Sequence, residues 1–378
     1  MSMLSGIKVI EFSDGLVDLG GRMLREMGAE VISVVPERVS DRPQWRTLAW
    51  HHGKTRVTVP EGTDLSQWAL LDEADIVLDD QRSSHTSMLD DLRQERPELI
   101  HVIARAFSEQ GPYHSRPATD LTLMAMSGLM TIVGEPDKPP LRLPGEQAYA
   151  LAGIQVATAA LLALHVRRRT GQGQRVDVSA FQSTVLANYR EAIMYEWTGR
   201  IGRRTGNQLV RGKSGVRQVW PCADGFVTWS MIDNPSMMRS MVTVMVDRQV
   251  AGELADIDWD AILVADTPQD TVDRWQSVFG RFFATLTRAE LGDLSLERGW
   301  GLSVIKNLDD VRSDAHLRER NLFVPVRDET NGTQTGTQTG TQTRLPGPLF
   351  HHTTQGDTPM RVLRQPVLVT ESTRWSDL

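Results

Sequence analysis

The stretch "GIKVIEFSDGLVDLGGRMLREMGAEVISVV", residues 6–35, decides the fold. Its opening "GIKVIEFS" is an apolar run of strand length. "VDLGGRMLREMG" carries apolar residues at helical spacing and stops at Gly28, and "AEVISVV" is a second strand. A strand, a helix and a strand in 30 residues make a βαβ unit, which implies a parallel sheet. The turn after the first strand, "SDGLVDLGG", lacks the GxGxxG spacing of a dinucleotide site, so nicotinamide cofactors are disfavoured. "WHHGKTRVTV" contains Gly-Lys-Thr, but Leu48 stands where a phosphate loop needs its first glycine.

The alternation continues outward. "ADIVLDD" and "LIHVIARAF" read as strands with the helix "TSMLDDLRQERP" between them. Helices follow in "DLTLMAMSGLMTIVG" and "YALAGIQVATAALLALHVRRR", the latter closing on three arginines that suit the negative end of a helix dipole. "RVDVS" is a further strand and "AFQSTVLANYREAIMYEWTG" a further helix. "GRIGRRTGNQLVRGKSG", from residue 199, reads as a basic linker whose arginines offer a place for an anion, though a solvated run is the commoner meaning. A second, Met- and Trp-rich domain then runs to about residue 331. The expected organisation is a large domain over 1–198 completed by 344–378, a linker at 199–216 and a small domain at 217–331. A flexible Gly-Thr-Gln repeat fills 332–343.

Composition sets limits on function. The 378 residues are 40% hydrophobic and 24% charged, enough for two cores, and the net charge of -7 argues against a nucleic-acid partner. No apolar run approaching about 20 residues and no signal-like leader is read, so no membrane partner and a cytoplasmic location are expected. A single cysteine, Cys222, rules out an internal disulfide and an all-cysteine metal site, and it reads as a half-buried residue at a strand start. His351 and His352 are adjacent, so in a strand they face opposite ways and read as surface residues rather than metal ligands.

The segments "LSGIKVIEFS", "LREMGAEVI", "ADIVLDD", "ERPELIHVIARAFSEQGPY", "DLTLMAMSGLMTIVGEP", "LAGIQVATAALLALHVRRRTGQGQRVDVSAFQS" and "RRTGN" before "WPCADGFV" occur in an order that resembles the family III CoA-transferases. That group includes formyl-CoA transferase, carnitine CoA-transferase and alpha-methylacyl-CoA racemase. The resemblance implies an α/β fold with a Rossmann-like large domain built on a parallel sheet, a smaller inserted α+β domain and an interlocked-ring homodimer. It also implies an acyl-CoA substrate, with coenzyme A as part of that substrate, no metal, and a carboxylic acid acceptor. In such enzymes an aspartate attacks the thioester. By that resemblance the aspartate's place, four residues before Gly153, is taken here by Tyr149.

A phenol with a pKa of about 10 is ionised in only ~0.1% of molecules at neutral pH, and it has no carbonyl carbon on which CoA can wait. Tyr149 suits a hydrogen-bond donor to a thioester carbonyl or enolate, or simply fills the site. Glu146, three residues earlier, carries the required carboxyl carbon, or else serves as a helix cap. The racemase's histidine corresponds to Thr119, which disfavours racemisation. Lys54, Asp80, Arg105 and Phe107 fall at positions that face the CoA in the family. Three readings stay open: a CoA-transferase, a catalytically silent subunit paired with an active paralogue in a heterodimer, and an acyl-CoA lyase, isomerase or hydrolase using Tyr149.

Overall fold

Strand β1 (Lys8–Phe12) is buried at four of its five positions, as a strand covered on both faces must be. Around it, a computed structural model describes residues 2–35, 44–60, 63–80, 86–328, 343–347 and 361–378. Helix α1 (Asp18–Glu26) follows β1 and ends where Gly28 takes a positive φ, and β2 (Glu30–Val35) then pairs parallel to β1. The expected βαβ unit is present.

The chain continues through α2 (Gln44–His51), β3 (Thr55–Thr58), α3 (Ala69–Asp72), β4 (Ile76–Asp80), α4 (Thr86–Glu95), β5 (Ile100–Arg105), α5 (Asp120–Met126), α6 (Gln147–Thr170) and β6 (Arg175–Ser179). The strands form one parallel sheet in the order β3-β2-β1-β4-β5-β6, extended beyond β3 by the short strand Val367–Leu368. This is a doubly wound order, and it reverses between β1 and β4. Just beyond the carboxyl ends of those two strands lies the crevice where such sheets bind ligands.

Helix α6 is long and apolar enough, by length and composition, to cross a membrane, which corrects the expectation that no such run exists. Its small residues Ala148, Ala152, Gly153, Ala157 and Ala160 are instead buried, and the helix packs on α1, α7 (Ala180–Leu186) and the β5–β6 edge. Two expected helices are altered. The segment after Asp120 is α-helical only to Met126 and resumes as a short 3-10 helix at Leu129–Ile132, and the one after Ser179 breaks at Ala187–Asn188 into α7 and α8 (Tyr189–Thr198).

The chain divides into two units: 1–130, 142–201 and 315–378 in the first, 131–141 and 202–314 in the second. These boundaries differ from those expected. The basic segment is not a linker throughout, because β7 (Gln208–Arg211) and β8 (Ser214–Arg217) close a hairpin in the second unit. Residues 131–141 join that unit because Arg204 donates to the carbonyls of Thr131 and Glu135, and Gly206 to that of Gly134. In the second unit, β9 (Val219–Cys222), β10 (Gly225–Thr228) and β11 (Ser303–Val304) form a small antiparallel sheet. Its core gathers Trp220, Trp229, Phe279 and Phe283 with Met238 and Met241. Cys222 is half-buried, but it ends a strand rather than starting one.

Residues 315–328, expected in the small domain, belong to the first unit. Val326 on the strand Phe323–Asp328 packs with Leu48 of α2 and Leu363. The Gly-Thr-Gln repeat up to residue 342, His351 and His352 lie outside the described residues.

Candidate functional site

The crevice is built by loops at the carboxyl ends of β1, β4 and β5. A cleft of about 200 Å3 opens there between Leu16, Asp80, Ala106, Ser115, Arg116, Pro117 and Ala118. Asp80, a candidate CoA contact, is almost fully buried and accepts from the backbone N–H groups of Asp14 and Leu16 at 3.2 and 3.0 Å. It therefore holds the β1–α1 loop in place and floors the cleft. Arg105 and Phe107 are both buried. Arg105 reaches Asp177 and Glu109 at 3.4 and 3.5 Å, and Phe107 is buried against Tyr113 and Phe181.

Lys54 is placed otherwise than a phosphate contact would be. Its ammonium donates to both carboxylate oxygens of Glu11 at 2.8 and 2.6 Å and to the carbonyl of Asp18 at 2.9 Å. All three ammonium protons are used, and neither ionic side chain is exposed. The cause lies in the sequence: Glu11 sits mid-strand in a fully covered sheet, where an anion must be paired. Ser33 also donates to Glu11, at 3.0 Å. Burial pushes Glu11 above the ordinary carboxylate range, against the pull of Lys54 and His51. Donor atoms of Glu11, Asp18 and His51 lie within 4.8 Å of one another, a spacing a metal could use. The ammonium of Lys54 already supplies the cation on Glu11, so the set fits a lysine rather than a metal ion.

Asp18 opens α1 and is also buried. Burial opposes its ionisation, but His51, 3.5 Å away, together with Lys54 and Ser13, holds its carboxyl well below the usual range. On its outer side Asp18 meets Arg46 of α2 at 3.6 Å. Arg46 in turn donates to Glu146 at 2.7 Å, and its guanidinium lies over the ring of Tyr149, 5.5 Å from the centroid. The two candidates from the start of α6 thus meet at one buried arginine. Gly15, at φ +128°, brings the β1–α1 loop against the same pair. A Cβ there would fall 2.9 Å from Arg46 Nη2 and 3.2 Å from Tyr149.

Glu146 occupies the N-cap position of α6, yet its side chain makes no capping bond. Asp120, from the start of α5, takes that role and accepts from the N–H groups of Ala148 and Tyr149 at 2.8 and 3.3 Å. The Glu146 carboxylate is left for Arg46. One of its oxygens, together with Arg46 Nε, is buried without a hydrogen-bond partner. Arg46, Asp18, His51 and Asp120 were not recognised from sequence. Arg46 and Glu146 lie 100 residues apart, and no local pattern joins them. Asp120 alone had a signal, as an acid in the first turn of a helix after a capping threonine.

What this arrangement can do is present one carboxylate, one phenol and one guanidinium together, at a helix N-terminus beside the sheet's ligand-binding edge. Comparison with known proteins adds the lineage. A succinyl-CoA:D-citramalate CoA-transferase from Chloroflexus aurantiacus is 32% identical over 249 residues, 61% of each chain. A succinate–glutarate CoA-transferase from Agrobacterium fabrum is 31% identical over 64% of this chain and 66% of its own. The chain thus spans about two thirds or less of the length of these two relatives. Subunit BbsE of the succinyl-CoA:(R)-benzylsuccinate CoA-transferase of Thauera aromatica is 25% identical over 87% of this chain and 85% of its own. Among solved structures, a CaiB/BaiF family protein from Brucella suis superposes with a TM-score of 0.74, covering 92% of this chain and 95% of that one at 22% identity. The sequence profile of CoA-transferase family III matches residues 4–359, and this chain belongs to that family.

Proposed function

We propose that the protein transfers CoA from an acyl-CoA to a carboxylic acid, with Glu146 as the carboxylate that carries the acyl group and CoA in turn. The observation that carries this reading is that the Glu146 carboxylate and the Tyr149 ring meet at Arg46, so the carboxylate stands one helical turn from the expected aspartate position. In the first step Glu146 attacks the thioester carbonyl carbon, the C–S bond breaks and CoA leaves as the thiolate. The thiolate then attacks the Glu146 carbonyl carbon of the anhydride, releasing the first acid and leaving a Glu146 thioester. The acceptor carboxylate repeats the sequence in reverse. Tyr149 supplies a hydrogen bond to the oxyanion that forms.

The Rossmann-like reading of the large domain is supported by the strand order, which favours the β1/β4 switch point as the CoA site. Homodimer formation is supported by α8, which has no buried residue and exposes Tyr189, Ile193, Tyr195 and Trp197. A cytoplasmic location fits an acyl-CoA substrate drawn from the intracellular pool.

The test is to give the purified protein succinyl-CoA and hydroxylamine and to map hydroxamate by mass spectrometry. Label on Glu146, lost in Glu146→Gln and kept in Tyr149→Phe, is the expected result. Turnover with no label there overturns the assignment.

A second reading has its own support. The phenol at the aspartate's position and the similarity to a relative named as a subunit fit a silent chain that pairs with an active paralogue. No turnover alone, and turnover on co-expression with a carboxylate-bearing family member, would establish it.

A further inference from the structure

We propose that Arg46 is the acceptor-binding residue of the transfer site. It holds Glu146 in the resting protein and takes up the departing and incoming carboxylates once Glu146 is acylated. This inference rests on the reading of Glu146 as nucleophile, and adds where the acid binds and why it binds second.

Arg46 is about one-tenth exposed and stands between two carboxylates, with Nη1 2.7 Å from Glu146 Oε1 and Nη2 3.6 Å from Asp18 Oδ2. The contact with Glu146 is through one oxygen, although a guanidinium can bind a carboxylate through two parallel N–H groups. Arg46 Nε and Glu146 Oε2 are both buried and without hydrogen-bond partners. Buried polar atoms are ordinarily satisfied, so unpaired ones on both sides of one ion pair leave hydrogen-bonding capacity that a polar ligand can use. Asp18 is the fixed side of the arrangement, because His51, Lys54 and Ser13 keep it ionised. It tethers Arg46 whatever happens at Glu146.

Charge balance then sets the order of binding. In the resting protein Arg46 faces two anions, and a third carboxylate would be repelled. When Glu146 attacks the thioester it becomes a neutral anhydride, and CoA leaves as the thiolate. Arg46 has then lost one of its two counter-charges. Attack of the thiolate on the Glu146 carbonyl carbon breaks the C–O bond and frees the donor's carboxylate beside Arg46. That acid leaves, the acceptor carboxylate takes its place on the guanidinium, and it lies next to the Glu146 thioester carbon that it must attack. The resting ion pair therefore works as a lock that acylation opens.

Glu146→Gln imitates the acylated, neutral state. Calorimetry on the purified protein with glutarate as probe should detect no binding to the wild type and binding to Glu146→Gln. The neutral diamide of glutarate should bind neither form. Glu146→Gln with Arg46→Gln should lose at least about tenfold of that affinity, the worth of one charged hydrogen bond, and Glu146→Gln with Arg46→Lys should keep part of it. Because Glu146 is partly exposed, the single variant is expected to fold, and its result decides the matter alone: no gain in glutarate binding overturns the proposal. Equal binding with and without the Arg46 guanidinium overturns it as well. Hydroxamate trapping reports separately on Glu146 as nucleophile, so failure of that reading and failure of this proposal are distinguishable.

Discussion

Gly153 of α6 faces Gly20 of α1 so closely that a Cβ on Gly153 would lie 2.6 Å from the Leu19 Cβ and 3.2 Å from the Gly20 nitrogen. The reverse addition, on Gly20, would meet Val156 at 2.6 Å. The helix that carries Tyr149 and the helix that carries Asp18 are thereby held against each other through their backbones. Gly153→Ala should destabilise the protein by about 1–3 kcal/mol, although alanine is the better helix former. Gly292, inside a helix of the second unit, has only Val304 at 3.4 Å, so Gly292→Ala should be neutral or stabilising by up to about 1 kcal/mol. Urea denaturation of the two variants checks the contrast, and similar losses at both sites would refute it.

The Glu11–Lys54 pair predicts strong non-additivity. Lys54→Met leaves a buried carboxylate without its cation and should cost about 3–5 kcal/mol. Glu11→Leu with Lys54→Met removes both charges and should recover most of that loss. A double-mutant cycle by chemical denaturation measures the coupling. Additive losses would mean that the two groups do not depend on each other.

Acid stability follows from Asp18. Its carboxyl titrates below the ordinary value of 3.8, so between the two values the unfolded chain binds a proton that the folded chain does not. The stabilisation is thus fully present above about pH 4 and is lost as pH falls through the folded value. Asp18→Asn should lower stability at pH 7, and the gap from the wild type should close as the pH drops below 4. Glu11 works in the opposite direction. Its folded value is raised, so its burial costs stability at neutral pH, and that cost diminishes as pH falls through the folded value. Across pH 3–7 the deficit of Asp18→Asn should begin to shrink below pH 4, while Glu11→Gln should lack the acid-side gain in denaturation midpoint that the raised Glu11 carboxyl gives the wild type.

Asp120 caps α6 from a different helix, so its removal should act at the start of α6 and not on α5 alone. Asp120→Ala should cost about 1–2 kcal/mol, and Asp120→Asn less, since the amide oxygen still accepts. Hydrogen exchange at Ala148 and Tyr149 should quicken in Asp120→Ala. Unchanged exchange there would show that the cap is dispensable.

The sheet was largely legible in sequence because its signals are local. "KVIEF", "EVISVV" and "IHVIAR" are apolar runs of strand length, and Gly28 and Gly171 stop helices at positive φ. Glu11 was visible as well, and a charged residue in such a strand calls for a partner, which is the reading that would have placed Lys54 inside. The hairpin at 208–217 escaped because its glycines and arginines resemble a loop until Arg204 and Gly206 find Thr131, Gly134 and Glu135. At the site, family resemblance pointed to Tyr149 and Glu146, but the arginine that joins them comes from a helix 100 residues earlier. Only tertiary packing reveals it.

The short strand Val367–Leu368 pairs with β3, and the residues around it fasten the same edge. The Trp68 indole donates to the Thr370 carbonyl across 302 residues of chain, and Ala69 donates to that of Glu371. During synthesis β3 therefore leaves the ribosome long before the segment that will cover it, and the nascent sheet carries an open hydrogen-bonding border until the segment 302 residues beyond Trp68 has been made. Closing so distant a pairing belongs late in folding. Truncation before residue 364 should leave a chain that collapses but associates through that border, a fault visible as aggregation during expression rather than as an altered catalytic rate.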